Sequence, residues 1–145
     1  MRWGSRAVLF ASALLLPFGL AADGLQQNSG ATTSSDAAKL KSPVAADAKS
    51  LVEGRQLFAK HCASCHGSEG KGDGKAGELL KPRPADLTDA AWKSGSTEGD
   101  IFTVVRDGVR QTGMKGFAGR MTTRELWSVV NYVRTLSSAH RKGRS

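Results

Sequence analysis

Cys62, Cys65 and His66 stand in the order C-x-x-C-H within "KHCASCHGSEGKGDG" (Lys60 to Gly74), a run that holds both cysteines and two of the three histidines of the 145-residue chain. Whatever this cluster binds sets the architecture around it, and four chemistries compete. A redox dithiol belongs beside a βαβ pattern, and no alternating strand pattern occurs in the chain. A structural zinc site needs four ligands, whereas this motif offers three crowded ones with no second Cys/His pair downstream. A disulfide would close a two-residue loop, constrain little of the unfolded chain and leave His66 unexplained.

The fourth chemistry is covalent haem attachment. Each thiol adds across one vinyl group of the porphyrin, and the adjacent imidazole then lies beneath the iron as proximal ligand. The spacing is demanding because two thioether anchors and one coordinate bond must meet one flat macrocycle. C-x-x-C-H therefore points to a single, covalently bound haem c with its iron.

The rest of the chain suits that cofactor. Arg2 and Arg6 precede the apolar run "AVLFASALLLPF" (Ala7 to Phe18), and "GLAA" (Gly19 to Ala22) supplies small residues for cleavage. The run is shorter than the about 20 residues that span a bilayer, so residues 1–22 are expected to be a signal peptide cleaved after Ala21 or Ala22. Export to the periplasm follows; an uncleaved anchor is the alternative, and membrane association is expected only in that case. Residues 23–49 are rich in Ala, Ser, Thr and Gly without an aromatic and are expected to form a flexible linker. A domain over 50–137 is small enough to need a cofactor in its core. Residues 51–137 carry 13 Lys/Arg against 10 Asp/Glu, and a basic tail, 138–145, ends the chain. That tail is either a solvated terminus or a contact for an anionic partner; nothing points to nucleic acid.

Periodicity predicts an all-α domain. "SLVEGRQLFAKHC" carries Ser50 and Glu53 at capping-box spacing, with Leu51, Val52, Leu57 and Phe58 at helical intervals. Gly54 weakens that helix unless another backbone approaches it. Thr97 and Asp100 open a second helix that Gly108 stops. Thr122 and Glu125 open the strongest one, with Leu126, Val129, Val130, Val133 and Leu136 on one stripe. The Gly/Pro-rich segment between the first two helices is expected to be a loop with a short helix opened by Thr88.

Taken with "CASCHG", the Gly54-x-x-x-Phe58 helix, the Gly/Pro loop, a methionine-bearing loop and a final aromatic helix resemble the class I monohaem cytochromes c over about Val52 to Leu136. The resemblance implies a cytochrome c-like fold of about three to five helices around the haem, with Tyr132 and Val129 crossing the first helix at Gly54. It also implies a proline carbonyl that accepts from the proximal histidine; Pro84 is the candidate and Pro82 the fallback. Met114, between two glycines in "QTGMKGF", matches the family's axial position. Met121 precedes the Thr122 cap, where it pairs with Leu126 as a hydrophobic staple. His61 precedes an attached cysteine and cannot swing to the far side, and His140 in the tail is a poor ligand on entropic grounds. Trp92 and Trp127 either pack near the haem or fill the core. Lys71, Lys75, Lys81 and Lys115 would orient an acidic redox partner, or are simply solvated.

The expected function is electron transfer between exported or membrane-bound redox partners, not catalysis. Two alternatives stay open at this point. One is a ligand-binding or peroxidase-like protein with an open sixth position. The other is a haem subunit or tethered domain of a periplasmic dehydrogenase. The sequence leaves the oligomeric state open.

Overall fold

The computed structural model describes residues 34–137. The expected signal peptide, the first part of the expected linker and the tail with His140 lie outside the described residues. Five helices follow one another: α1 (Ser34–Lys39), α2 (Ala48–His61), α3 (Ala63–His66), α4 (Glu98–Asp107) and α5 (Thr123–Leu136), with a 3-10 turn at Lys75–Gly77. No strand forms among the described residues, only isolated bridges between Gly108 and Lys115 and between Ala118 and Met121. The domain is all-α, as the periodicity predicts. No helix among the described residues is long and apolar enough to cross a membrane.

Two of the three expected capping boxes form. Thr97 accepts from the Asp100 N–H while the Asp100 carboxylate accepts from the Thr97 N–H, and Thr122 and Glu125 do the same for α5. The third does not. Helix α2 begins earlier, at Ala48, because Asp47 accepts the Ser50 N–H at 2.8 Å. Ser50, fully buried in the first turn, donates its hydroxyl to the Ala45 carbonyl at 2.6 Å. Glu53 is drawn away to accept from the Ser128 hydroxyl at 2.8 Å. The short helix expected after Thr88 is also absent; Thr88 instead donates its N–H and hydroxyl back to Asp86, closing an Asx turn.

The core is the crossing of α2 over α5, with α4 packed against α5. Phe58, Val129 and Val130 are buried at its centre, and the Phe58 and Tyr132 rings meet at 5.4 Å. Gly54 lies at the crossing. A Cβ there would overlap the Ser128 carbonyl and come within 2.9 Å of the Tyr132 Cβ. The close approach expected at Gly54 is therefore real, made by Ser128 and Tyr132 of α5. Trp127 fills the core, stacked on Phe102 at 4.1 Å.

The stretch from Ser34 to Asp47 differs from a free linker. Ala37 is buried and its carbonyl lies against Gly99 of α4. Asn131, buried in α5, donates to the Val44 and Ala45 carbonyls at 3.2 and 3.3 Å. Glu98 pairs with both Lys41 and Arg134. These partners lie far along the chain and supply the order that the segment's composition does not.

Candidate haem-binding site

Helix α2 stops at Cys62, whose φ of −118° interrupts the helix before α3 restarts as a single turn. The His66 N–H donates to the Cys62 carbonyl at 2.9 Å and the Gly67 N–H to the Ala63 carbonyl at 2.9 Å. Positions i, i+3 and i+4 of a helical turn share one face, which is the spacing of Cys62, Cys65 and His66. The glycine-rich loop that follows folds back onto this turn. Gly72 and Gly74 donate their N–H groups to the His66 and Cys65 carbonyls at 2.8 and 3.1 Å.

His66 is half-buried, and its Nδ1 lies 3.2 Å from the Ala85 carbonyl oxygen. The expected acceptor was Pro84, so the register is one residue out. The Pro84 ring packs against Gly77 and its carbonyl oxygen would be 2.6 Å from a Cβ at Gly72, which leaves the next carbonyl to face the imidazole. With a proton on Nδ1 held by that carbonyl, Nε2 keeps its lone pair. Burial holds the His66 pKa below the usual histidine value, against the opposing pull of the Ala85 carbonyl. At neutral pH the ring is thus uncharged, the form that ligates metals.

Both thiols are free and half-buried. Burial, and secondarily the neighbouring Cys65, push the Cys62 thiol up to about 11. A zinc ligand must be a thiolate, which this pocket disfavours, whereas a thioether carries no charge to desolvate. No group of three or more His, Cys, Asp or Glu residues among the described residues could hold a metal ion on its own. Two buried polar atoms, Trp92 Nε1 and Thr103 Oγ1, find no hydrogen-bond partner among the described residues. Such orphans each cost about 1–3 kcal/mol. At the C-x-x-C-H turn, two free thiols and an imidazole with Nε2 available fit a porphyrin that carries two vinyl groups and an iron. The Ala85 carbonyl carried no signal in the sequence.

The two methionines have different settings. Met121 is buried in the apolar cluster with Phe117 and Leu126, where a staple would put it. Met114 is half-buried in a loop closed by the Val109 N–H donating to its carbonyl at 3.1 Å. On one side of it, a Cβ at Gly113 would meet the Leu80 side chain. On the other, the Phe117 ring lies 5.9 Å from that of His61, the residue before Cys62.

An all-α domain whose first core helix runs into a C-x-x-C-H turn, with a neutral imidazole and two free thiols, defines a haem-holding protein of the c type. A family model described as Cytochrome c matches residues 51–137, and the chain belongs to the cytochrome c family. It accordingly carries covalently attached haem c with its iron. Among curated relatives, the Cbb3-type cytochrome c oxidase subunit CcoP of Cereibacter sphaeroides is 36% identical over 93 residues, covering 62% of this chain and 29% of that protein. Subunit FixP of the same oxidase type from Azorhizobium caulinodans is 30% identical over 90 residues, covering 62% and 28%. The chain thus spans under a third of the length of these relatives. A chain of the Kuenenia stuttgartiensis reducing HAO-like protein complex superposes with a TM-score of 0.62 at 26% identity, over 70% of this chain and 49% of that one. Cytochrome CL of Methylophaga aminisulfidivorans shares the fold, with a TM-score of 0.51 at 22% identity over 61% and 54% of the two chains.

Proposed function

We propose that this protein is a single-haem electron carrier working between exported or membrane-bound redox partners. In this reading Cys62 and Cys65 would hold the haem through thioethers, and His66 and Met114 would ligate its iron. The observation that carries it is the tethering of His66 Nδ1 by the Ala85 carbonyl, which leaves Nε2 as the coordinating atom beside two free thiols. When bound, the haem supplies an iron that passes between ferric and ferrous states without bonds being made or broken. The protein's part is to hold still. The Ala85 carbonyl fixes the imidazole plane and raises its basicity, and the packed α2–α5 core keeps water out. Met114 is favoured over Met121 because its loop is bracketed by contacts to Leu80 and His61, while Met121 is engaged in the core. A thioether ligand from Met114 would favour ferrous iron and raise the potential.

The test is the absorption spectrum of the haem-loaded protein, ferric and ferrous, with and without carbon monoxide. A ferric sulfur-to-iron charge-transfer band and no response to carbon monoxide are expected. A prompt carbon monoxide shift without that band would replace the carrier with an open-iron, ligand-binding protein.

A second reading, a haem domain serving a larger oxidoreductase, is favoured by the relatives, which are named as oxidase subunits and extend well beyond the matched region. Location in the periplasm rests on the Arg2-to-Ala22 signal pattern. Sequencing the mature protein should find Ala22 or Asp23 at its N-terminus; an intact Met1 in the membrane fraction would mean that the signal serves as an anchor.

A further inference from the structure

The loop that carries Met114 is closed on itself and on the end of α4. The Phe117 and Ala118 N–H groups donate to the Val105 and Arg106 carbonyls at 3.0 and 2.9 Å, taking up carbonyls that a helix end leaves without intrahelical partners. Gly108 and Lys115 face each other in an antiparallel bridge. A Cβ at Gly108 would lie 2.6 Å from the Met114 carbonyl oxygen, so the two limbs of the loop meet backbone to backbone. The base is thus fixed by main chain alone. The tip is different. Gln111 has a φ of 60°, a left-handed conformation that a residue other than glycine keeps only where its surroundings impose it. The next residue supplies that constraint. The Thr112 hydroxyl donates to the Val109 carbonyl at 2.8 Å and accepts from the Met114 N–H at 3.1 Å. It is the only hydrogen-bond partner of the Met114 N–H among the described residues. One side chain therefore ties one limb of the tip to the other, and neither bond reaches the α2–α5 core.

A methionine on the chain competes with free ligands for an iron through its effective concentration there. That concentration falls as the loop gains conformations, because ordering them again costs entropy. We propose that Thr112 is a positioning residue for Met114: its hydroxyl holds the tip in one conformation and so keeps small exogenous ligands, imidazole among them, from displacing the thioether. This deepens the electron-carrier reading and rests on its assignment of Met114 to the iron. The Thr112 methyl group has no such part, since both bonds run through the hydroxyl.

The test is imidazole titration of the ferric, haem-loaded protein, followed at the sulfur-to-iron band. Thr112→Val keeps the shape of the side chain but leaves the Met114 N–H without its acceptor. It should bind imidazole about tenfold more tightly than the wild type, the effect of losing two hydrogen bonds of ordinary net worth. Thr112→Ser keeps the hydroxyl and should bind imidazole as the wild type does. Thr135→Val is the control. The Thr135 hydroxyl also donates to a main-chain carbonyl, that of Tyr132 at 2.6 Å, but within α5, and its loss should leave imidazole binding unchanged. Urea midpoints read by circular dichroism should differ little between the two valine variants. An imidazole affinity unchanged in Thr112→Val would overturn the proposal, as would a Thr112→Ser that binds imidazole as tightly as Thr112→Val. A tighter affinity in Thr112→Val matched by a fall in urea midpoint that Thr135→Val does not share would make Thr112 a fold-stabilising residue, and overturns the proposal too. A wild type without the sulfur-to-iron band would instead overturn the Met114 assignment beneath it.

Discussion

Met114→Ala is expected to abolish the ferric sulfur-to-iron band and to let ferrous haem bind carbon monoxide, while Met121→Ala is expected to do neither. Removing one thioether from a His/Met pair leaves the iron with the imidazole and a vacant or water-filled position. The potential should then fall by a sizeable part of the about 0.8 V that axial ligation spans across haem proteins, because the ligand that favours ferrous iron is gone. Stability should change less, since Met114 is only half-buried. Met121 lies in the core at 8% exposure, and its truncation leaves a cavity expected to cost about 2–5 kcal/mol. Spectra and denaturant midpoints for both variants therefore move in opposite patterns. If Met121→Ala opens the iron and Met114→Ala does not, the axial assignment passes to Met121.

Gly54→Ala should destabilise the protein by on the order of 3 kcal/mol, near the top of the usual range for overpacking. Helix propensity alone predicts the reverse, a gain of about 0.5–1 kcal/mol for alanine in a helix interior. The collision decides the sign, because the added Cβ meets the Ser128 backbone and not a side chain that could swing aside. Relief requires α2 and α5 to separate, which would loosen Phe58 from Tyr132. Gly119→Ala is the comparison: its Cβ would meet nothing within 4 Å, but its φ is +75°. Backbone strain alone there should cost about 1–2 kcal/mol. Urea unfolding of the haem-loaded protein, followed by haem absorbance and by circular dichroism, reads both. A Gly54→Ala loss no larger than that at Gly119 would mean that the helices have slack at the crossing.

Much of the site was legible because its chemistry is local. Cys62, Cys65 and His66 lie within five residues of one another, and the Thr97 and Thr122 capping boxes each span only four residues. Gly54 was readable as a close approach because a glycine in a helix otherwise has little to recommend it. The misreadings have long-range causes. Ser50 and Glu53 have capping-box spacing, but so do Asp47 and Ser50. The choice fell to Asp47 because Glu53 is claimed by Ser128, 75 residues away. Likewise Val44 and Ala45 are held by Asn131, more than 80 residues distant, so a stretch of linker-like composition is packed. The Ala85 carbonyl could not be found from side-chain identity, since any residue offers a carbonyl and the path of the loop decides which one faces the imidazole.

The packed segment before α2 also fixes one end of α4. Helix α1 rests on Gly99, at the start of α4, whereas the Met114 loop returns to that helix near Gly108, at its other end. About 13 Å of helix axis separates the two points. The Ala37 contact, the Lys41–Glu98–Arg134 pairs and the Asn131 hydrogen bonds together clasp the Ser34–Asp47 stretch to α4 and α5. The Met114 loop can therefore adjust at one end of α4 without loosening the clasp at the other.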